Sequence, residues 1–222
     1  MRENGKAIRG VVFDLDGLMF NTEEVFHQAG NELLSRRGHE MTRELLSRMM
    51  GRRAKESFAM LIEELRLAET VEVLLAESEL IFFEMLETRL APMPGLFELL
   101  DELETRGLPK GVATSSSRPY LEMILGRFDL DSRFSFLLTA EDVTQGKPHP
   151  EVYQRAAEKL ELSPAQLLVL EDSETGSKAA ASAGACVVAV PHDYSRDHDF
   201  SHVDHVAAGL HDPLIRRLLD GN

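Results

Sequence analysis

The chain has 222 residues, is 43% hydrophobic and 6% aromatic with no Trp, and carries a formal net charge of −14. That length and apolar content suffice for one full domain and a smaller one, with a core resting on Leu, Val, Ala, Met and Phe, and they exclude a disordered or low-complexity chain. The negative field excludes nucleic acid and anionic membrane as partners, because either needs clustered Lys and Arg to displace counterions; a small anionic substrate stays admissible where a metal ion and a few cationic groups invert the charge locally.

The start, Met1 to Lys6, is polar, and the short apolar stretch after it is broken by Asp14, which predicts neither a signal peptide nor a spanning helix. The run Ile8 to Phe13 has the length of a buried strand. From Thr22 to Leu90 no strand pattern occurs, and the amphipathic sets Leu45/Met49, Phe58/Leu61/Ile62/Leu65 and Leu80/Phe83/Met85/Leu86 predict a small helical bundle. Gly17 to Asn21 and Ala91 to Pro94 are its hinge linkers, the second marked by Pro92 and Pro94.

Beyond Pro94 the chain alternates. Leu96, Leu99, Leu100 and Leu103 take helical spacing, then come an apolar run Gly111 to Thr114 and another at Phe134 to Thr139. Val152, Ala156, Ala157 and Leu160 follow as a helix face after Pro150, and strand-length runs recur at Leu167 to Leu170, Cys186 to Val190 and Val203 to Ala207. Strands alternating with helices imply a parallel sheet. The expected fold is therefore α/β, a doubly wound parallel sheet formed by 1–20 and 92–222, with an inserted α-helical cap domain at 21–91; its ligand crevice lies beyond the carboxyl ends of the strands. The single cysteine, Cys186, cannot form an internal disulfide and is expected as a buried, inert thiol in a reducing cytoplasm.

Four features carry chemistry. The first strand ends in Phe13-Asp14-Leu15-Asp16-Gly17, and the strand period of two sends both carboxylates to one side while Leu15 points into the core. Like charges that close persist where a cation binds or one group is protonated. Next, Gly111-Val112-Ala113-Thr114-Ser115-Ser116-Ser117-Arg118 runs a strand into hydroxyls at a helix start, a setting suited to phosphate oxygens, although Ser116 or Ser117 can equally be a plain N-cap. Gly146-Lys147-Pro148-His149-Pro150 fixes a loop and delivers one ammonium. Finally, Leu170-Glu171-Asp172-Ser173 ends a strand in paired acids, oxygen ligands suited to magnesium. Each alone has a bland explanation; together they occupy one edge of the sheet.

That set in that order resembles the haloacid dehalogenase superfamily, specifically its phosphatase-like members with a helical cap after the first strand. The resemblance spans nearly the whole chain. It implies that Asp14 is a nucleophile forming an aspartyl-phosphate and that Asp16 is the general acid and then the base. It further implies that Thr114, Ser115 and Lys147 hold phosphate oxygens. The implied cofactor is Mg2+, held by Asp14, Asp16 through its backbone carbonyl, Asp172 and Glu171. Thr22 belongs to the nucleophile motif as the family has it. Dehalogenating members lack the second Asp and need no metal, so Asp16 argues against dehalogenation. The implied partner is a small phosphorylated metabolite, with the protein a monomer or weak homo-oligomer.

Within the superfamily the chain is similar to β-phosphoglucomutase and the sugar-phosphate phosphatases. It departs from the mutase in the cap: Phe26 stands where the mutase has a gating histidine, with His27 adjacent, and Ala54 stands where it has an arginine for a second phosphate. Ser117 and Arg118 replace a Lys and an Asn that grip the distal phosphate. Ser116, Arg118, Arg52 and Arg53 remain candidate substrate contacts, since Arg holds phosphate bidentately; the cap pair reads equally as solvated charge. The phosphatase is the favoured reading, the mutase the alternative, and a silent α/β binding module a third that the presence of Asp14, Lys147 and Asp172 opposes. His192, His198, His202, His205 and His211 are too irregularly spaced for a metal-binding tail and predict a last strand with its loop.

Overall fold

The computed structural model describes residues 7–49 and 54–221, so Arg52 and Arg53 lie outside the described residues. The chain divides into two compact units, one made of the segment up to Asn21 with Pro92 onward, the other of Thr22–Ala91. Strand β1 (Gly10–Phe13) is buried at every position. The helical unit then follows as α1 (Thr22–Ser35), α2 (Arg43–Met49), α3 (Ala54–Leu65) and α4 (Val71–Arg89). Thr70 caps α4 by accepting the Val73 N–H.

Leu33, Leu34, Leu45, Phe58, Leu61, Leu74 and Ile81 form the helical unit's own core. One expectation fails here. Leu80 and Phe83 of α4 are exposed, at 65% and 37%, and the buried face is Leu74, Ser78, Ile81 and Leu86. Apolar side chains surround α4 on all sides, so spacing alone does not choose the face; packing against its neighbours does.

The second segment supplies α5 (Leu96–Thr105), β2 (Lys110–Ala113), α6 (Arg118–Gly126), β3 (Phe136–Leu138), α7 (Glu151–Lys159), β4 (Leu167–Glu171), α8 (Glu174–Ala183), β5 (Cys186–Ala189), β6 (His205–Val206) and α9 (Pro213–Leu219). The sheet order is β3-β2-β1-β4-β5-β6, with every neighbouring pair parallel. β1 and β4 are buried throughout, as strands covered by helices on both faces must be. Val12, Val169 and Val187 pack with Val152, Tyr153, Ala156, Ala179 and Ala180 of α7 and α8 in one cluster, and each fully buried large aliphatic there contributes roughly 1.5–3 kcal/mol. Cys186, expected buried, is partly exposed as the first residue of β5.

The order of connection reverses at β1, whose neighbours β2 and β4 lead the chain outward in opposite directions. Such a switch point opens a crevice at the carboxyl ends of the strands. Phe20 bridges to Asp16 and to Pro92, tying the two linkers together within this unit. Among the described residues no helix is long and apolar enough to cross a membrane.

Candidate active site

Each chemistry-bearing segment leaves its strand at that carboxyl edge. Asp14 follows β1 directly, and its N–H donates to Leu170 O at 3.0 Å, which continues the ladder with β4 by one residue and pins the loop that leaves β1. Leu15 is fully buried, as the period of two requires. Thr114 follows β2, Lys147 lies in the loop between β3 and α7, and Glu171 and Asp172 end β4.

Lys147 draws these together. Its ammonium, on a side chain 6% exposed, donates to Asp14 Oδ1 at 2.5 Å, to Glu171 Oε1 at 2.6 Å and to Ala113 O at 2.9 Å. It also lies 5.2 Å from the centre of the Tyr153 ring, close enough for a cation–π attraction. Tyr153 donates its hydroxyl to the same Glu171 Oε1 at 2.5 Å, and Ser173 donates to Glu171 Oε2 at 3.1 Å. Glu171 is wholly buried, and its space exists because residue 176, in the first turn of α8, is glycine: a Cβ there would stand 1.8 Å from Glu171 Oε1.

Ligand oxygens of Asp14, Glu171 and Asp172 all lie within 4.8 Å of one another. Burial pushes the Asp14 carboxyl well above the ordinary carboxylate range, against the pull of Lys147, and Glu171, Asp172 and Asp16 push it further. Burial alone would lower Lys147, but Asp14 and Glu171 outweigh it and hold the ammonium well above its usual value. Beside the cost of burial, the acids outnumber the single cation that faces them. Three hard oxygen donors so placed fit a divalent ion such as Mg2+, whose charge offsets that excess.

Asp16 lies outside that cluster. Ser116 donates to its Oδ2 at 2.7 Å, Thr114 to Oδ2 at 3.4 Å and Tyr120 to Oδ1 at 3.0 Å. Ser116 is thus turned to Asp16, and the N-cap position of α6 is Ser117, which makes no side-chain cap bond. Thr114, Ser115, Ala140, Val143, Thr144, Gly146, Lys147 and Val152 line a cleft of about 180 Å³ beside these groups. Arg118 is directed elsewhere: its guanidinium pairs with Asp142 at 2.6 Å and donates to Leu137 O at 3.1 Å. Thr22 opens α1 in the other unit and is buried.

A family model described as haloacid dehalogenase-like hydrolase matches residues 11–190. The chain belongs to the haloacid dehalogenase-like hydrolases. A phosphorylated carbohydrates phosphatase of Thermotoga maritima is 30% identical over 181 residues, covering 80% of this chain and 82% of that protein. Protein CbbY of Rhodobacter capsulatus is 32% identical over 210 residues, covering 89% of this chain and 91% of its own. CbbY from Rhodobacter sphaeroides, solved in complex with phosphate, superposes with a TM-score of 0.74 at 26% identity, over 93% of this chain and 96% of that one.

Tyr120 and Tyr153 carry no motif in the sequence, and His192, one of five irregularly spaced histidines, reads there only as part of the last strand and its loop. Tyr153 sits on the face of α7 that Val152, Ala156 and Ala157 bury, and a buried tyrosine hydroxyl calls for a partner. Burial and then Glu171 raise its hydroxyl well above its ordinary value, so it stays a proton donor. His192 stands three residues past the end of β5, on the same edge as Asp14 and Asp172.

Proposed function

We propose that this hydrolase is a magnesium-dependent phosphatase acting on a small phosphate monoester of the sugar-phosphate kind through an aspartyl-phosphate on Asp14. The observation that carries the reading is the buried cluster of Asp14, Glu171 and Asp172 around one ammonium, Lys147, beside a cleft lined by Thr114 and Ser115. Asp14 attacks phosphorus, the bond to the leaving oxygen breaks, and Asp16 protonates that oxygen. Asp16 then takes a proton from water as the water attacks the same phosphorus; phosphate leaves and the Asp14 carboxylate is restored. Thr114, Ser115 and Lys147 hold the remaining phosphate oxygens, a task that Arg118, its guanidinium paired with Asp142, is less placed to share. Asp14, the backbone carbonyl of Asp16, Asp172 and Glu171 would hold Mg2+. When bound, the ion supplies charge that offsets the repulsion between nucleophile and phosphate.

The substrate class takes support from a relative named a phosphorylated carbohydrates phosphatase. Against a mutase stand Phe26, in place of its gating histidine, and Ala54, in place of its arginine for the second phosphate. Incubation with β-glucose 1-phosphate and a trace of glucose 1,6-bisphosphate tests the choice. The expected result is slow release of inorganic phosphate, abolished by EDTA, with little glucose 6-phosphate. Rapid formation of glucose 6-phosphate without free phosphate would replace the phosphatase with a mutase, and full release in excess EDTA would remove the metal.

A further inference from the structure

The loop after β5 carries a histidine onto the acid cluster. His192 Nε2 lies 2.9 Å from Asp172 Oδ2, and its side chain is 13% exposed. The other ring nitrogen decides where the proton is. The Tyr194 backbone N–H donates to His192 Nδ1 at 3.1 Å, so Nδ1 presents its lone pair, and the proton of the neutral ring sits on Nε2, pointing at Asp172.

The ring's position is set by its own backbone. His192 N–H donates to Ser195 Oγ at 3.1 Å, and Ser195 N–H donates back to His192 O at 3.1 Å, with Ser195 almost fully buried. Gly17 completes the enclosure from the nucleophile loop. Its φ is +76°, and a Cβ there would lie 2.5 Å from Asp172 Oδ2 and 2.6 Å from His192 Nε2. Glycine meets both demands, the left-handed backbone and the space for the pair.

We propose that His192 is a positioning residue that fixes the Asp172 carboxylate for metal binding, by a hydrogen bond from a ring locked as its Nε2–H tautomer. A neutral donor orients the carboxylate without adding a positive charge that would compete with a divalent ion, and a carboxylate ligand held by an outer partner loses less freedom on binding. The inference rests on the reading of Asp172 as a metal ligand.

Calorimetric titration of Mg2+ into the wild type, His192→Ala and His192→Gln, alongside the melting temperature of each metal-free protein, tests it. His192→Ala should weaken Mg2+ binding by about 10- to 100-fold with the metal-free midpoint little changed. His192→Gln, whose amide N–H reaches the same point, should recover most of the affinity. Equal Mg2+ affinity in the wild type and His192→Ala overturns the inference, as does His192→Gln no better than His192→Ala. A wild type that binds no Mg2+ removes the metal reading and this inference with it, an outcome distinct from equal affinities. Should His192→Ala not fold, a long-range proton–nitrogen spectrum of the wild-type ring decides: a proton on Nε2 supports the assignment and a proton on Nδ1 overturns it.

Discussion

Replacing Gly176 by alanine tests whether Glu171 is the support on which Lys147 and Asp14 depend. The added Cβ would stand 1.8 Å from Glu171 Oε1 and 2.1 Å from its carboxyl carbon. Ordinary contact requires roughly 3.5 Å, so the carboxyl group or the first turn of α8 must give by roughly 1.5 Å. The same Oε1 accepts from Lys147 at 2.6 Å and from Tyr153 at 2.5 Å, and a shift of that size carries both beyond hydrogen-bonding range. Overpacking of this kind costs about 1–3 kcal/mol, a fall in melting temperature of about 2–4 °C for each kcal/mol in a chain this long. Turnover should suffer more, since a misplacement of about 1 Å near the chemistry costs on the order of 100-fold. Steady-state phosphate release and thermal melting read the two effects. Gly126→Ala is the control, because its Cβ would meet Asp131 Oδ2 at an ordinary 3.5 Å. A Gly176→Ala protein with wild-type turnover and melting temperature would refute the support role of Glu171.

Asp14→Asn should abolish turnover, measured as phosphate release, and without metal its melting midpoint should be no lower than the wild type's, since it removes a charge that burial and three neighbouring acids disfavour. Glu104 bears on acid stability: the Arg133 and Lys110 side chains hydrogen-bond to it and lower its pKa from 4.5 to about 2. A depressed folded value means the stabilisation is complete above pH 4.5 and is lost as pH falls toward 2. Glu104→Gln should therefore cost about 1 kcal/mol at neutral pH, a figure discounted for the exposure of Glu104. In denaturant unfolding the gap from wild type should narrow as pH drops below 4.5; a gap constant with pH would show that the charge of Glu104 is irrelevant.

The strands were legible because a parallel sheet buries both faces and writes its strands as continuous apolar runs. Asp14, Thr114, Glu171 and Asp172 could be picked out because each stands where such a run ends, with Asp16 just beyond, whereas Lys147, in the loop between β3 and α7, is marked only by its Gly and Pro neighbours. The buried face of α4 was not, since apolar residues line its whole circumference. The links from Tyr120 to Asp16 and from Tyr153 to Glu171 were not legible either, because they join segments 104 and 18 residues apart that the fold alone brings together. His192 carried a signal that spacing could not weigh. Its place after β5 marks it, but its role depends on the Tyr194 amide that fixes the ring.

Asp14 as the attacking group is open to direct trapping. Quenching the enzyme in acid during turnover of a sugar phosphate, reducing with borohydride and mapping the peptides locates any acyl phosphate, because reduction converts a phosphorylated aspartate to homoserine. Homoserine is expected at position 14, in an amount that tracks the phosphoenzyme formed, and is expected to be absent from Asp14→Asn. Turnover at the full rate with homoserine at another position, or with none, would contradict attack by Asp14.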